Sequence, residues 1–199
     1  YVSAIALTYR TNPFHNFEHA CHVTMSVNKL LNRIVDPDVS QAEMDQLEDG
    51  GLSSHKHDFT HGIHSDPMAV FALVFSALIH DVDHRGVSNS QLVKENSDTS
   101  VKYGGKSVAE QHSVDLAWEM LMDPSLEDLR QCIYSDESEY QRFRQLVVNC
   151  VIATDIFDKD LKDLRNRRWE QAFHLGPEES KVDPDDDFNR KATIVIEHI

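Results

Sequence analysis

The chain has 199 residues, with 34 acids against 19 bases and a net charge of −15. That length suits one domain with a real core, and the charge repels nucleic acid and acidic membrane faces while attracting divalent cations. The longest apolar run falls well short of the ~20 residues that span a bilayer, and no signal peptide is visible.

Periodicity reads as helix almost throughout, and the expected fold is all-α. Residues 19–35 place Val23, Val27, Leu30, Leu31 and Ile34 at three- and four-residue spacing, an amphipathic face. Residues 36–66 are acidic and then dotted with His55, His57, His61 and His64, which predicts a long surface excursion. Those four histidines read as a solvated loop rather than an extra metal site. Asp66 and Pro67 predict the N-cap and first position of a helix over 67–80, apolar on most sides and therefore central. Ser107 and Glu110 have capping-box spacing ahead of "VAEQHSVDLAWEML". "EYQRFRQLVVNCVIATD" predicts a further helix ending near Thr154. Residues 159–173 predict a charged helix with Leu161, Leu164, Trp169 and Phe173 inward, its "RNRR" pairing with nearby acids. An acidic loop over 176–187 precedes "FNRKATIVIEHI", the start of a last helix. Cys21, Cys132 and Cys150 are scattered without CxxC spacing and read as reduced core thiols of a cytosolic compartment. The chain opens on Tyr1 and closes inside an apolar stretch, so both ends are expected to be cut from something longer.

The twelve histidines matter through their placement. In "NPFHNFEHACHV", His15 and His19 lie four apart, a spacing that puts two imidazoles on one helix face. In "FSALIHDVDHRG", His80 and His84 repeat it, with Asp81 beside His80 at the mouth of an apolar helix. A buried carboxylate without a partner costs several kcal/mol, so a cation is a natural companion. "VIATDIF" carries Thr154 and Asp155 at another helix end, and Glu110 stands at the start of a third. Each has a plain reading as well: solvated histidines, a helix-end His–Asp bond, a turn cap, a capping box. Together, mixed His and Asp donors without cysteine suit zinc, magnesium or manganese at a hydrolytic site.

In that order, "FHNFEHACHV", "ALIHDVDHRGVSN", "SVAEQH" and "VIATD" resemble the catalytic domain of the class I 3′,5′-cyclic nucleotide phosphodiesterases, members of the HD-domain metal hydrolases. The resemblance runs from about residue 8 to the end and is weakest over 36–66. It implies a compact multi-helix domain, with 1–199 a single partial domain truncated at its C-terminus. It implies two divalent metals, a tight Zn2+ and a Mg2+ or Mn2+. His19, His80 and Asp81 match metal ligands, Asp81 touching both ions, and His15 matches the proton donor. His84, Glu110 and Thr154 match groups that hold the second ion's waters. Asn89 and Asp155 match polar positions lining the substrate pocket. The implied reaction is hydrolysis of cAMP, cGMP or both to 5′-monophosphates in signal transduction, by hydroxide activated between two metals. The implied setting is the cytoplasm, or the cytoplasmic part of a longer, membrane-anchored protein with room for regulatory domains. The residue types suit that chemistry: cations lower the pKa of water and neutralise phosphoryl oxygens, and a histidine can protonate the leaving oxygen. Glu110 and Asp83 are expected to orient ligand imidazoles and waters.

Three departures stand out. Phe14 occupies a place where the family usually has tyrosine, and His22 one where aspartate is common, a swap expected to weaken support of the metals. The family's fourth ligand, an aspartate, and its purine-gripping glutamine are expected beyond Ile199. The 199 residues alone are therefore expected to bind metal weakly and turn over poorly or not at all. Other readings are an HD-type phosphohydrolase of a different phosphate ester and a degenerate, non-catalytic module that senses cyclic nucleotide or metal.

Overall fold

A computed structural model describes residues 1–31, 63, 66–173, 191, 194 and 195. Among the described residues the long elements are all helices: α1 (Val2–Thr8), α2 (Phe17–Leu31), α3 (Pro67–Ile79), α4 (Asn89–Lys94), α5 (Asp98–Lys102), α6 (Val108–Leu121), α7 (Glu127–Ile133), α8 (Glu137–Ala153) and α9 (Lys159–Phe173). A 3-10 turn, Pro124–Leu126, leads into α7.

Helix α3 is the axis of the fold. The Asp66 carboxylate accepts the Ala69 N–H at 3.1 Å, and Pro67 occupies a position whose N–H has no helical partner anyway. The helix buries Ala69, Ala72, Leu73, Phe75, Ser76, Ala77 and Ile79, and Ser76 satisfies its hydroxyl on the Ala72 carbonyl. It packs between α2 and α8, and α8 leans in turn on α6. Phe143 of α8 is fully buried, with the rings of Phe71, Phe75 and Trp118 at 5.8, 5.5 and 5.7 Å. Arg142 reaches Asp66, so the start of α3 is fixed to α8. With α3 held along its length, its C-terminal end opens between α2 and the end of α8.

Several expectations change in detail. The buried stripe of α2 is Ala20, Val27 and Leu31; Leu30 falls at its margin and is exposed. Ser107 makes no side-chain cap to α6; it sits at φ 38°, and its hydroxyl donates to Asp155 instead. In α9 Ala172 is the buried residue, while Leu164 is exposed. Two members of the basic run there bond to backbone: Arg165 to the Ala153 carbonyl and Arg167 to that of Asp163. Cys150 is buried, but Cys132 is exposed and Cys21 intermediate, so the thiols are not all core. Ile34, the histidine run, the 176–187 loop and most of the 36–66 and 188–199 stretches lie outside the described residues.

Candidate active site

Four segments converge. The first is the turn leading into α2. Asn16 accepts the His19 N–H on its side chain at 2.9 Å and so starts the helix. His15 therefore precedes the helix and does not share its face. Its direction comes from Asn12, whose amide donates to the carbonyls of His15 (2.8 Å) and His84 (3.3 Å). The second segment begins where α3 stops at Ile79. His84 donates its N–H to the Asp81 carbonyl, and Asp83 turns the chain at φ 58°. The four-residue spacing of His80 and His84 thus spans a turn, which carries His84 across to stack on His15, centroids 3.8 Å apart.

Asp81 is the hub. Its Oδ2 lies 2.8 Å from His15 Nδ1, 3.1 Å from His80 Nε2 and 3.7 Å from His19 Nε2. Asp81 and His80 are buried. Burial raises the Asp81 pKa, but its bonds to His80 and His15 overcome this and hold the carboxyl well below its usual range. For His80 burial disfavours charge, yet Asp81 and the Ala77 carbonyl prevail and raise its pKa. His80 Nδ1 lies 2.9 Å from the Ala77 carbonyl, so both ring nitrogens face acceptors. Such a ring carries two protons, or one proton and a cation in place of the second. That is the donor geometry of a metal ligand, its tautomer set by a backbone carbonyl. His19, His80 and Asp81 bring one ligand atom each within 4.8 Å of one another, and His15, Asp81 and His84 do likewise. The donor set, imidazole nitrogens with carboxylate oxygens, fits divalent cations. His84 differs from the other rings. Its Nδ1 accepts the Gly86 N–H at 2.9 Å, so in the neutral ring Nε2 carries the hydrogen and donates. Burial, and then His15, lower its pKa against the opposing pull of Asp81 and so favour the neutral ring.

The opposite wall is a carboxylate pair arranged around one amide. Asn89 opens α4 and donates to Glu110 Oε2 at 2.8 Å and Asp155 Oδ2 at 3.2 Å. Its Oδ1 accepts the Ala109 N–H at 2.9 Å, so α6 is capped from a distant residue. Asp155 is buried and also accepts from Ser107 at 2.9 Å. Burial raises the Glu110 pKa, against the opposing pull of Asn89. Thr154 is exposed, and its hydroxyl donates to the Val151 carbonyl at 2.7 Å.

All nine residues singled out in sequence line one cleft of about 890 Å³: His15, His19, His80, Asp81, His84, Asn89, Glu110, Thr154 and Asp155. Its floor is apolar, with Val23, Val27, Leu73 and Ala77, and Phe14 and Phe157 stand at it largely exposed. Phe14 lies against His19, centroids 4.4 Å apart. His22 is exposed and belongs to neither donor group, but it lies near enough to His19 to add to the burial and the His80 charge that lower the pKa of that ring. Asp83 is a clearer correction. It meets no imidazole of the cleft; it pairs with Arg10 and His112 on the other side of the turn. Glu110 bonds to Asn89 through Oε2, and it reaches His80 only through its charge, which helps to raise the pKa of that ring. Asn12, Asn16, Arg10, Ser107 and His112 were not anticipated in these roles. Asn16 alone carries a local signal, an N-cap residue just before a helical pattern.

Residues 14–194 match the family described as 3′,5′-cyclic nucleotide phosphodiesterase. The chain is 29% identical over 158 residues to the human dual specificity calcium/calmodulin-dependent 3′,5′-cyclic nucleotide phosphodiesterase 1C. It is 32% identical over 149 residues to a Drosophila melanogaster 3′,5′-cyclic-AMP phosphodiesterase, isoform F. These matches cover 78% and 74% of this chain and 18% of each relative, so the chain spans under a fifth of their length. The phosphodiesterase domain of Salpingoeca rosetta rhodopsin phosphodiesterase shares the fold, with TM-score 0.68 at 22% identity, over 98% of this chain and 49% of that one. No described helix is long and apolar enough to cross a membrane.

Proposed function

The chain belongs to the 3′,5′-cyclic nucleotide phosphodiesterase family, and from that premise we propose that its parent protein hydrolyses cAMP, cGMP or both to the 5′-monophosphate. The observation that carries the reading is the convergence of three imidazoles and the Glu110–Asn89–Asp155 group on the two sides of one cleft, around Asp81.

His19, His80 and Asp81 are the residues to hold a first divalent cation of the zinc type. Asp81, with His15 and His84 nearby, would also help to hold a second cation of the magnesium or manganese type. Such cations, when bound, activate water and neutralise the phosphoryl oxygens. The protein's own groups do the rest. The Ala77 carbonyl fixes His80 with Nε2 toward Asp81. His84 offers an N–H, and Glu110 and Thr154 offer oxygens, which together can orient water at the polar wall. Asn89 and Asp155 shape that wall. His15 points Nδ1 at Asp81, which leaves Nε2 to protonate the 3′ oxygen as the ester bond breaks.

The test uses the full-length protein. His15→Ala should lower turnover of cyclic nucleotide by roughly 10²–10⁴-fold with metal content near normal, the usual scale of a lost general acid. His80→Ala and Asp81→Ala should lose metal. Near-normal turnover in His15→Ala would remove the proton-donor assignment, and no hydrolysis of either cyclic nucleotide by wild-type protein would remove the function.

A further inference from the structure

Behind the His80–His84 turn, away from the cleft, lies a network of its own. Asp83 holds a backbone conformation that a non-glycine residue rarely adopts, φ 58°. Its Oδ1 accepts from Arg10 Nε at 2.7 Å, and its Oδ2 from Arg10 Nη2 at 3.1 Å and His112 Nε2 at 2.9 Å. One residue earlier, the carbonyl of fully buried Val82 accepts the Ser113 hydroxyl at 2.9 Å. The partners come from the segments that carry the rest of the site. Arg10 leads into the turn with Asn12 and His15, and His112 follows Glu110 by two residues on α6. Asp83 thus joins, through one carboxylate, the backbones bearing His15, Asp81 with His84, and Glu110.

We propose that Asp83, gripped by Arg10 and His112, is a positioning residue that sets the spacing of those three backbones and so the geometry of the cation-binding cleft. The assignment rests on the function proposed above. A bidentate guanidinium–carboxylate pair fixes direction as well as distance. The Arg10 side chain is half exposed, at 49%. An ion pair so open to water adds little to stability, so its loss should register in site geometry more than in folding.

The experiment compares Arg10→Ala, Arg10→Lys, Asp83→Asn and the Arg10→Ala/Asp83→Asn double variant in the full-length protein. Arg142→Ala, which removes the distant Asp66 pair, is the control for an ordinary structural ion pair. Zn2+ affinity is read by competition with a chromophoric chelator, alongside kcat and KM for cAMP and cGMP. Arg10→Ala and Asp83→Asn should each weaken Zn2+ binding and lower kcat by about 10–100-fold, the scale seen when groups behind a metal site are removed. KM should change little. The double variant should be no worse than the worse single, because both remove one clamp. Arg10→Lys should recover little, since a point charge cannot grip two oxygens, and Arg142→Ala should leave Zn2+ affinity unchanged. Wild-type Zn2+ affinity in Arg10→Ala, or additive losses in the double variant, would overturn the proposal. If wild-type protein binds Zn2+ but hydrolyses no cyclic nucleotide, the function fails, and the affinity series alone still decides the clamp.

Discussion

Replacing Asn89 by alanine probes the polar wall directly. The amide donates to two carboxylates, Glu110 at 2.8 Å and Asp155 at 3.2 Å, and accepts the Ala109 N–H at 2.9 Å. Bonds to a charged partner contribute about 1.5–3 kcal/mol each, and a lost helix cap costs ~1 kcal/mol. These contributions are coupled and Asn89 is only partly buried, so a total of about 3 kcal/mol is expected. For a protein of this size that lowers Tm by roughly 6–12 °C. The loss should also depend on pH. Burial already raises the Glu110 pKa, and Asn89 opposes that rise. Without the amide the folded-state pKa climbs further. A carboxyl whose folded pKa lies above its unfolded value is most favourable below the unfolded pKa and penalises the fold as pH rises through the folded one. The cost of Asn89→Ala should therefore be largest at neutral pH and shrink as pH falls through the carboxylate range. Urea unfolding of chelator-treated wild type and variant, from pH 4 to pH 8, measures it. A cost below about 1 kcal/mol at neutral pH, or one that grows toward acid, would show that Asn89 is not stabilising charged carboxylates.

Stripping metal with a chelator should abolish turnover and lower Tm, and Zn2+ at a hundred times its Kd should restore about 2.7 kcal/mol of stability; an unchanged Tm on stripping would refute a metal-braced cleft. Asp81→Asn keeps the shape of the hub but removes its charge, so metal content measured by elemental analysis should fall by at least tenfold, on the order expected for altered ligand chemistry. Phe143→Ala empties the junction of α3, α6 and α8 and should cost about 3–5 kcal/mol in urea unfolding, with a smaller loss indicating that the surrounding rings close the gap.

Much of this protein is written locally. The helical period of α3 and α8, the Asp66–Pro67 start and the body of α6 follow from spacing and capping chemistry that act within a few residues. So does the chemical kind of the site, since "HNFEH" and "HDVDH" put metal-seeking side chains at helix ends. Local spacing misled where a helix stops sooner than the pattern suggests. His15 and His84 sit in turns, and they meet because Asn12 and the left-handed Asp83 bring those turns together. Ser107 and Glu110 have capping-box spacing, but each bonds instead to a distant partner, Asp155 and Asn89.

The sequence by itself determined an all-helical chain with one central apolar helix and a set of His, Asp and Glu residues fit to hold cations. Only the tertiary structure decided which acids face the cleft and which brace it from behind. Asp81 and Asp83 are two residues apart and of one type. Packing turns the first toward His15, His19 and His80 and the second toward Arg10 and His112. A carboxylate takes its role from the charges brought to it, and here those charges come from segments distant in the chain.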